Sequence, residues 1–249
     1  MEERITSRKN ATLQQVRKLL SSRKEREKTG LFVSDGTKLL AEAVRFWPGL
    51  ETVIVSDGVE VDLPAHVRVL RVPGDVMESV SPMETPQGAV FVCRLPQQTG
   101  FAAKAPMLLL DGIQDPGNLG TILRTADALR VPVALLEGCA DPYSHKVVRA
   151  SMGAVFRTPV VQTTWETAKT ALSAAGIPVA VTALSEKASD IRRAHISQMA
   201  VVIGSEGQGV RDEILKNADA ELIIPMADHC ESLNAGIAAA IVMWQMQQV

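Results

Sequence analysis

The chain has 249 residues, of which 46% are hydrophobic and 22% charged, and this composition excludes wholesale disorder and a fibrous repeat. No apolar run reaches the ~18 residues that a membrane-spanning helix needs, and the N-terminal residues lack the apolar core of a secretory signal. The three cysteines lie too far apart in sequence for a disulfide framework or a CxxC metal site, which favours a reducing, cytoplasmic setting.

The net charge of −2 is unevenly distributed along the chain. Residues 1–28 contain nine Lys or Arg against four Glu, a net of +5, so the remaining residues carry −7. A basic N-terminal segment indicates either a polyanionic partner or a solvated helix face, and charge alone leaves both interpretations open. Aromatic residues make up only 4% of the chain, so base stacking is not expected to dominate the binding of a nucleic acid.

The first 95 residues predict a small α/β domain. Apolar residues at helical spacing predict one amphipathic helix over 12–28, with Gly30 as its stop signal. The following residues predict strands over 31–35, 52–57, 67–72 and 88–95 and helices over 37–47 and 73–81. Residues 96–106 mix Pro, Gly, Gln and Ala without an apolar period, which is typical of a linker.

Residues 107–249 predict a second α/β domain in which apolar strands alternate with helices. Near-continuous apolar strands favour a parallel sheet that is covered on both faces. We expect strands over 107–113, 132–138, 177–184, 199–205 and 221–226, and helices over 119–129, 145–151, 165–175, 209–217 and 233–248.

The first segment that suggests chemistry is DGIQDPGNLGTILRTADA, residues 111–128. Its Asp-Pro-Gly turn predicts a helix that begins with Asn118 as the N-cap. Asn118 and Arg124 would then face the crevice at the carboxyl end of a parallel strand, where open α/β sheets bind ligands. A simple cap and a surface ion pair explain the two residues at least as well when this segment is considered alone.

The second segment is VVIGSEGQGV, residues 201–210. Gly204, Gly207 and Gly209 follow an apolar strand and predict a tight turn that backbone or ligand can approach closely. The order GxxGxG is not the GxGxxG of dinucleotide-binding folds, so nicotinamide or flavin binding is not indicated. It is also not the GxxxxGK[ST] of P-loop enzymes, which excludes a P-loop NTPase. Glu206 would repel a phosphate, which disfavours a phosphate-binding loop. The alternative to a ligand-binding loop is a tight strand–helix turn with an exposed Glu.

The third segment is IIPMADHCESLNAGIAAAIVMW, residues 223–244. We expect a strand that ends at Pro225 and a closing helix that is capped by Ser232 or Asn234 and begins with small residues. A capping box in front of a packed helix is the alternative reading. His229 and Cys230 are adjacent, but no further Cys or His lies at ligand spacing, so we expect no metal site.

Together these segments resemble the three motifs of the SpoU/TrmH branch of the SPOUT superfamily, the RNA 2′-O-ribose methyltransferases. Residues 146–154, KVVRASMGA, also resemble the family pattern, and residues 1–95 resemble its RNA-binding extension, so the resemblance covers almost the whole chain. No departure from the family pattern falls on a candidate catalytic residue; the departures are Ala11, Asp35, Arg130, Asp228 and Ala235.

The resemblance implies an α/β protein with an N-terminal RNA-binding domain over 1–95, a linker over 96–106 and a SPOUT domain with a trefoil knot over 107–249. It also implies a homodimer that binds S-adenosylmethionine without a metal. The implied catalytic residues are Asn118, Arg124, Glu206, Ser232 and Asn234, with Glu206 orienting Arg124. The implied cofactor-binding residues are Gly204, Ile224, Met226, Ser232 and Leu233. The implied RNA-binding residues are Arg8, Lys9, Arg17, Lys18, Arg23 and Lys24.

The implied reaction is methyl transfer to a ribose 2′-OH. Ribosomal RNA is favoured as the substrate because residues 1–95 resemble the members that act on it. The alternatives are a transfer-RNA 2′-O-methyltransferase and a non-catalytic RNA-binding assembly factor that kept the fold. A small-molecule methyltransferase is disfavoured because it would not need the basic N-terminal segment.

Overall fold

The computed structural model describes residues 2–97, 100–158 and 160–248, and these form two compact units. The first unit contains residues 2–97 together with 141–158, and the second contains 100–140 and 160–248. The sequence analysis assigned everything after residue 107 to the second domain, so residues 141–158 differ from that expectation. Part of the expected linker, residues 98 and 99, lies outside the described residues.

The strands belong to two sheets. The first sheet contains β1 (Glu2–Arg4), β2 (Leu31–Asp35), β3 (Leu50–Ser56), β4 (Arg68–Val72) and β5 (Ala89–Arg94). The second contains β6 (Met107–Asp111), β7 (Val133–Leu135), β8 (Val161–Gln162), β9 (Val179–Thr182), β10 (Ser189–Asp190), β11 (Ala200–Gly204) and β12 (Ala220–Ile223). The short strands β1, β8 and β10 were not predicted, because two or three residues carry too little apolar pattern to be recognised.

The helices surround these sheets. They are α1 (Ala11–Ser21), α2 (Arg23–Thr29), α3 (Thr37–Phe46), α4 (Gly74–Glu78), α5 (Pro116–Leu129), α6 (His145–Ala150), α7 (Ala154–Arg157), α8 (Trp165–Ala174), α9 (Asp212–Leu215) and α10 (Ala235–Gln245). A 3-10 turn spans Ile191–Arg193.

The single helix predicted over 12–28 is wrong, because the chain breaks at Ser22. Ser22 has extended backbone angles and its hydroxyl accepts a hydrogen bond from the backbone N–H of Glu25 at 3.2 Å. The serine therefore ends α1 and caps α2. Gly30 ends α2 in the left-handed conformation, with φ of 69°, as its position predicted.

The sheet of the first unit is mixed, with the strand order β1-β4-β3-β5-β2. On one face, helices α1 and α4 contribute to a core with apolar residues of all the long strands, including Val33 of β2. Phe32, the residue before Val33 in β2, instead packs in an aromatic cluster with Trp47, Tyr143 and Phe156. This alternation is the ordinary two-residue period of a strand buried on both faces.

The segment 141–158 is fixed within the first unit by ion pairs as well as by these rings. Arg26 of α2 bonds to Asp141 at 2.7 Å, with both side chains largely buried. Arg149 of α6 bonds at 2.5 Å to Asp35, whose side chain is buried at the end of β2. Burial raises the pKa of Asp35, and the neighbouring Arg149 opposes that shift.

All the pairings in the sheet of the second unit are parallel, as predicted, and its order is β10-β12-β9-β11-β6-β7-β8. The central strands β6 and β11 are buried along their whole length, which explains their continuous apolar sequences. Because the strands are parallel, the loops that follow β6, β9, β11 and β12 all leave from the same edge of the sheet. The chain reverses its winding direction at β6 and β11, and such a point is where open sheets bind ligands.

Candidate active site

The first two motifs meet because β6 and β11 are neighbours in the sheet. Asp111, the last residue of β6, lies opposite Gly204, the last residue of β11. The loops that follow the two strands therefore start side by side. The third motif follows β12, two strands away on the same edge.

Helix α5 begins at the carboxyl edge, but its cap differs from the prediction. Asp115, not Asn118, is the N-cap, and its carboxylate accepts a hydrogen bond from the backbone N–H of Asn118 at 2.7 Å. Pro116 occupies the first helical position, where its fixed φ suits the helix and its missing N–H costs nothing. The amide side chain of Asn118 is consequently available for other contacts.

Three predicted catalytic residues, one from each motif, form a hydrogen-bonded cluster. Asn118 donates through Nδ2 to Oε1 of Glu206 and accepts through Oδ1 from Nδ2 of Asn234 at 2.8 Å. Asn234 also caps α10, because its Oδ1 accepts from the backbone N–H groups of Gly236 and Ile237 at 2.9 and 3.2 Å. One asparagine thus ties the glycine loop to the start of the closing helix.

The structure does not bring Arg124 and Ser232 into this cluster. Arg124 is exposed on α5, about 9 Å along the helix axis from Asn118, and forms no hydrogen bond or ion pair with the described residues. The expected contact between Glu206 and Arg124 is replaced by the contact between Glu206 and Asn118. Ser232 is also exposed, and its hydroxyl has no partner among the described residues.

The loop after β11 is closed by its own backbone. Ser205 and Gly209 exchange backbone hydrogen bonds of 3.1 and 2.9 Å, and Gly209 has φ of +68°. A Cβ on Gly204 would lie 2.0 Å from the carbonyl carbon of Gly209, a distance that only glycine avoids. Gly207 has open space around it, so two of the three glycines are required by the geometry and the third is not.

Arg211 anchors the far end of this loop, and sequence reasoning missed it. Its backbone N–H and Nε bond to the buried carboxylate of Asp111 at 2.9 and 2.7 Å, and its Nη2 bonds to Glu137 at 2.8 Å. Burial raises the pKa of Glu137, but hydrogen bonds from its own backbone and from Arg211 outweigh burial, so the pKa lies below its ordinary value. A polar Asp111 at the end of an otherwise apolar strand was the available signal.

The third loop is longer than the sequence predicted, since β12 ends at Ile223 rather than reaching Met226. Residues 224–234 form no helix or strand. Ile224, Met226 and Leu233, which were expected to bind the cofactor, are half-buried there. The loop after β9 lies at the same edge and exposes 66% of Leu184, a residue that the sequence analysis did not single out.

The basic residues of the N-terminal segment fall into two groups. Three arginines are engaged within the protein: Arg8 pairs with Asp75, Arg17 bonds to Ser79 and to the carbonyl of Arg8, and Arg23 pairs with Glu27. The three predicted lysines are exposed, and they are Lys9, Lys18 and Lys24. The lysines are therefore better placed than the arginines to contact a phosphate.

Three further findings concern the chemistry of the described residues. They contain no group of three His, Cys, Asp or Glu arranged to hold a metal ion. No helix among them is long and apolar enough to cross a membrane. All three cysteines are free thiols; burial raises the pKa of Cys139 to about 11 and that of Cys93 well above its ordinary value, whereas Cys230 is exposed.

Comparison with known proteins identifies two regions. Residues 105–244 match the SpoU rRNA Methylase family, and residues 10–90 match an MRM3-like substrate binding domain. The 23S rRNA (guanosine(2553)-2′-O)-methyltransferase RlmP of Bacillus subtilis is 34% identical over 249 aligned residues, which cover 98% of this chain and 99% of that protein.

Two solved structures have the same fold over nearly the whole chain. The AdoMet-bound rRNA methyltransferase from Sinorhizobium meliloti aligns with a TM-score of 0.87 and 29% identity, covering 99% of this chain and 97% of that one. The SpoU methyltransferase AviRb from Streptomyces viridochromogenes, in complex with AdoMet, aligns with a TM-score of 0.83 and 27% identity, covering 96% and 97%. The motifs, the parallel sheet and these matches agree, and the chain belongs to the SpoU rRNA methylase family.

Proposed function

We propose that the chain transfers a methyl group from S-adenosylmethionine to a ribose 2′-OH of ribosomal RNA. The observation that carries this proposal is the cluster of Asn118, Glu206 and Asn234, which joins the three motifs at the carboxyl edge of the parallel sheet. The full-length match to a 23S rRNA 2′-O-methyltransferase supports ribosomal RNA as the substrate class. Such an enzyme would work in the cytoplasm, where free thiols persist.

The loops after β11 and β12 fit the cofactor. At Gly204 backbone approaches backbone too closely for a side chain, and the irregular residues 224–234 leave backbone N–H and C=O groups available for a ligand. Half-buried apolar side chains beside polar backbone suit a ligand with an adenine ring and a charged amino-acid end. We assign this binding to Gly204, Ile224, Met226, Ser232 and Leu233. The trefoil knot implied by the family stays a prediction.

The chemistry requires a weakly acidic hydroxyl to attack a carbon that bears a good leaving group. S-adenosylmethionine supplies that electrophilic methyl group on a sulfonium sulfur, so the protein has to position the hydroxyl and stabilise its developing negative charge. A guanidinium does not release its proton near neutral pH. We therefore assign Arg124 to phosphate binding and charge stabilisation, not to proton abstraction.

The remaining proposed catalytic residues hold the loops of the site in position or bind the substrate. Glu206 is held by Asn118, so its carboxylate fixes the glycine loop against α5. Asn234 fixes the start of α10 against the same asparagine. The exposed hydroxyl of Ser232 is free to bind the nucleotide or the cofactor.

The Arg124→Ala variant tests the assignment of Arg124. We expect methyl transfer to be lost while the calorimetric affinity for S-adenosylmethionine changes by no more than a few-fold, because Arg124 forms no hydrogen bond or ion pair with the described residues of the cofactor loops. Arg193→Ala, which removes an exposed arginine of the same unit, is the control and should retain activity. A large loss of cofactor affinity in Arg124→Ala would contradict the assignment.

We also propose that the protein is a homodimer, paired through α10. One face of this helix exposes Ile237, Ile241 and Trp244, which are 52%, 36% and 62% accessible and lie at i, i+4 and i+7. Such a contiguous apolar stripe on a helix is unusual for a surface that stays in water.

Sedimentation tests the homodimer. Ile241→Glu and Trp244→Glu place a charge in the stripe and should yield monomers, whereas Gln248→Glu places the same charge beyond the end of α10 and should leave the dimer intact. A wild-type protein that sediments as a monomer at micromolar concentration would contradict the proposal.

A further inference from the structure

An open cavity of ≈ 220 Å³ lies on the first unit, where α3 ends and β3 begins. Its lining comes from two stretches of chain, residues 44–50 and the loop that precedes β4. The side chains that line it are Val44, Arg45, Phe46, Trp47, Pro48, Leu50, Pro64 and His66. The residues proposed for methyl transfer belong to the second unit, so the cavity is not part of that site.

Phe46 gives this cavity its character. It is the last residue of α3 and is 38% exposed, although burying a phenylalanine side chain normally stabilises a fold by about 1.5–3 kcal/mol. The guanidinium carbon of Arg45 lies 4.9 Å from the ring centroid of Phe46, and that of Arg157 lies 5.9 Å away. An exposed aromatic ring is thus flanked by two cations at cation–π distance.

The wall of the cavity is preformed. Nε1 of Trp47 donates to the backbone carbonyl of Arg94 at 3.0 Å, and its ring packs edge-on against Phe32 and Phe156 with centroids 5.8 and 5.7 Å apart. A Cβ on Gly49 would meet the Trp47 ring at 3.1 Å and the Arg94 carbonyl at 3.3 Å. Since the tryptophan cannot shift freely, a ligand would meet a fixed wall on this side of the cavity and lose little binding energy to ordering it.

The chemistry of this site fits an unpaired nucleobase with its phosphate. Every base offers a π face that stacks on an aromatic side chain, and a guanidinium binds phosphate oxygens with matching geometry. The cavity is smaller than the roughly 300–1,000 Å³ that drug-sized ligands occupy, which suits one planar ring. An apolar peptide would bring no anionic group to pair with the exposed Arg45 cation.

We propose that the Phe46 cavity stacks one unpaired base of the substrate RNA, with Arg45 on the adjoining phosphate. This rests on the proposed function, because it gives the substrate RNA a point of attachment on the first unit in addition to the methyl-transfer site. Stacking is tolerant of base identity, so the cavity contributes affinity for single-stranded or looped RNA more than for a particular sequence.

Substitutions at Phe46 separate stacking from simple apolar contact. The probe is unmodified ribosomal RNA transcribed in vitro, assayed by filter binding and by methyl transfer from labelled S-adenosylmethionine. We expect Phe46→Ala and Phe46→Leu to weaken RNA binding by roughly 5- to 100-fold, with the KM for RNA raised and kcat retained. Phe46→Tyr keeps the ring and should bind like wild type. Cofactor affinity should be unchanged in all three variants.

The outcomes are distinct. If Phe46→Leu binds RNA as well as wild type does, or if kcat falls while KM is unchanged, the stacking proposal is overturned while the proposed function stands. If the wild-type protein neither binds nor methylates the RNA, the proposed function fails and this inference fails with it. Cross-linking with photoreactive uridine should attach the RNA to the peptide that contains residues 44–50; a cross-link only to the second unit also overturns the inference.

Discussion

Asn118 shows how one side chain gains a role when its neighbour caps the helix. Its amide is the only link between Glu206 and Asn234 among the hydrogen bonds of the described residues. Sequence reasoning identified all three as candidates, but it assigned the cap to Asn118. An Asp directly before a Pro at the first helical position is the better cap signal, and Asp115 carries it.

The glycine loop makes a sharp prediction at the same scale. Gly204→Ala should displace residues 205–210 and abolish S-adenosylmethionine binding, because the new methyl group would overlap the backbone of Gly209. Gly207→Ala is the matched control and should bind normally, since nothing lies within 4 Å of the added atom. The affinity of both variants for S-adenosylmethionine is measured by calorimetry, with circular dichroism to confirm folding. Equal affinities would show that the close approach of the Gly204 and Gly209 backbones does not matter for cofactor binding.

Among the elements, the segment that contains α6 and α7 is the least expected. It packs on β2 and α3 of the first unit through Tyr143 and Phe156 and through three ion pairs with residues of the N-terminal part. Of these pairs, the contact between Arg26 and Asp141 is the most deeply buried. A buried pair of this kind is costly to break, because the remaining charge has no water to replace its partner.

Arg26→Ala should therefore lower the free energy of unfolding by about 3–5 kcal/mol. Arg4→Ala removes one side of an exposed pair with Asp57 and should cost only about 0.2–1 kcal/mol. Urea unfolding of the two variants provides the comparison. Similar losses for both would mean that Arg26 does not hold residues 141–158 in place.

Most elements could be predicted from the sequence, and the failures have physical causes. Strands such as β6 and β11 are recognisable because burial on both faces demands uninterrupted apolar residues. The break at Ser22 was missed because the residues after it, RKEREK, are good helix formers without proline or glycine. Only the hydrogen bond from the backbone N–H of Glu25 to the Ser22 hydroxyl shows that the helix restarts. The packing of residues 141–158 in the first unit was missed because the spacing of apolar residues predicts a helix or strand but not the element against which it packs.

The candidate site was predictable in its residue types and only partly in its arrangement. Polar residues and glycines after apolar strands indicated the edge of the sheet, and Asn118 there contacts one residue from each of the other two motifs. The anchoring of Arg211 to Asp111 and Glu137 depends on strand order, which a single sequence does not reveal. Engagement of Arg8, Arg17 and Arg23 within the protein likewise depends on tertiary contacts.

For the molecule as a whole, the distribution of charge predicts how RNA binding depends on salt. Replacing Lys9, Lys18 and Lys24 together by Ala should reduce the log–log slope of RNA affinity against salt by about 2, because each lysine that releases a counterion contributes roughly 0.7. The charge-matched control replaces three exposed lysines of the second unit, Lys104, Lys187 and Lys216. Equal slopes for both triple variants would disprove a role for the N-terminal lysines.

The return of residues 141–158 to the first unit bears on how the protein is made. The ribosome synthesises the chain from its N-terminus. Phe32 and Trp47 therefore cannot pack against Tyr143 and Phe156 until β6 and β7 have been synthesised. β6 likewise cannot pair with its neighbour β11 until that strand has been synthesised, much later in the chain. The first unit therefore completes its core late in translation, and cutting the gene near residue 98 would separate Phe32 and Trp47 from the rings of Tyr143 and Phe156.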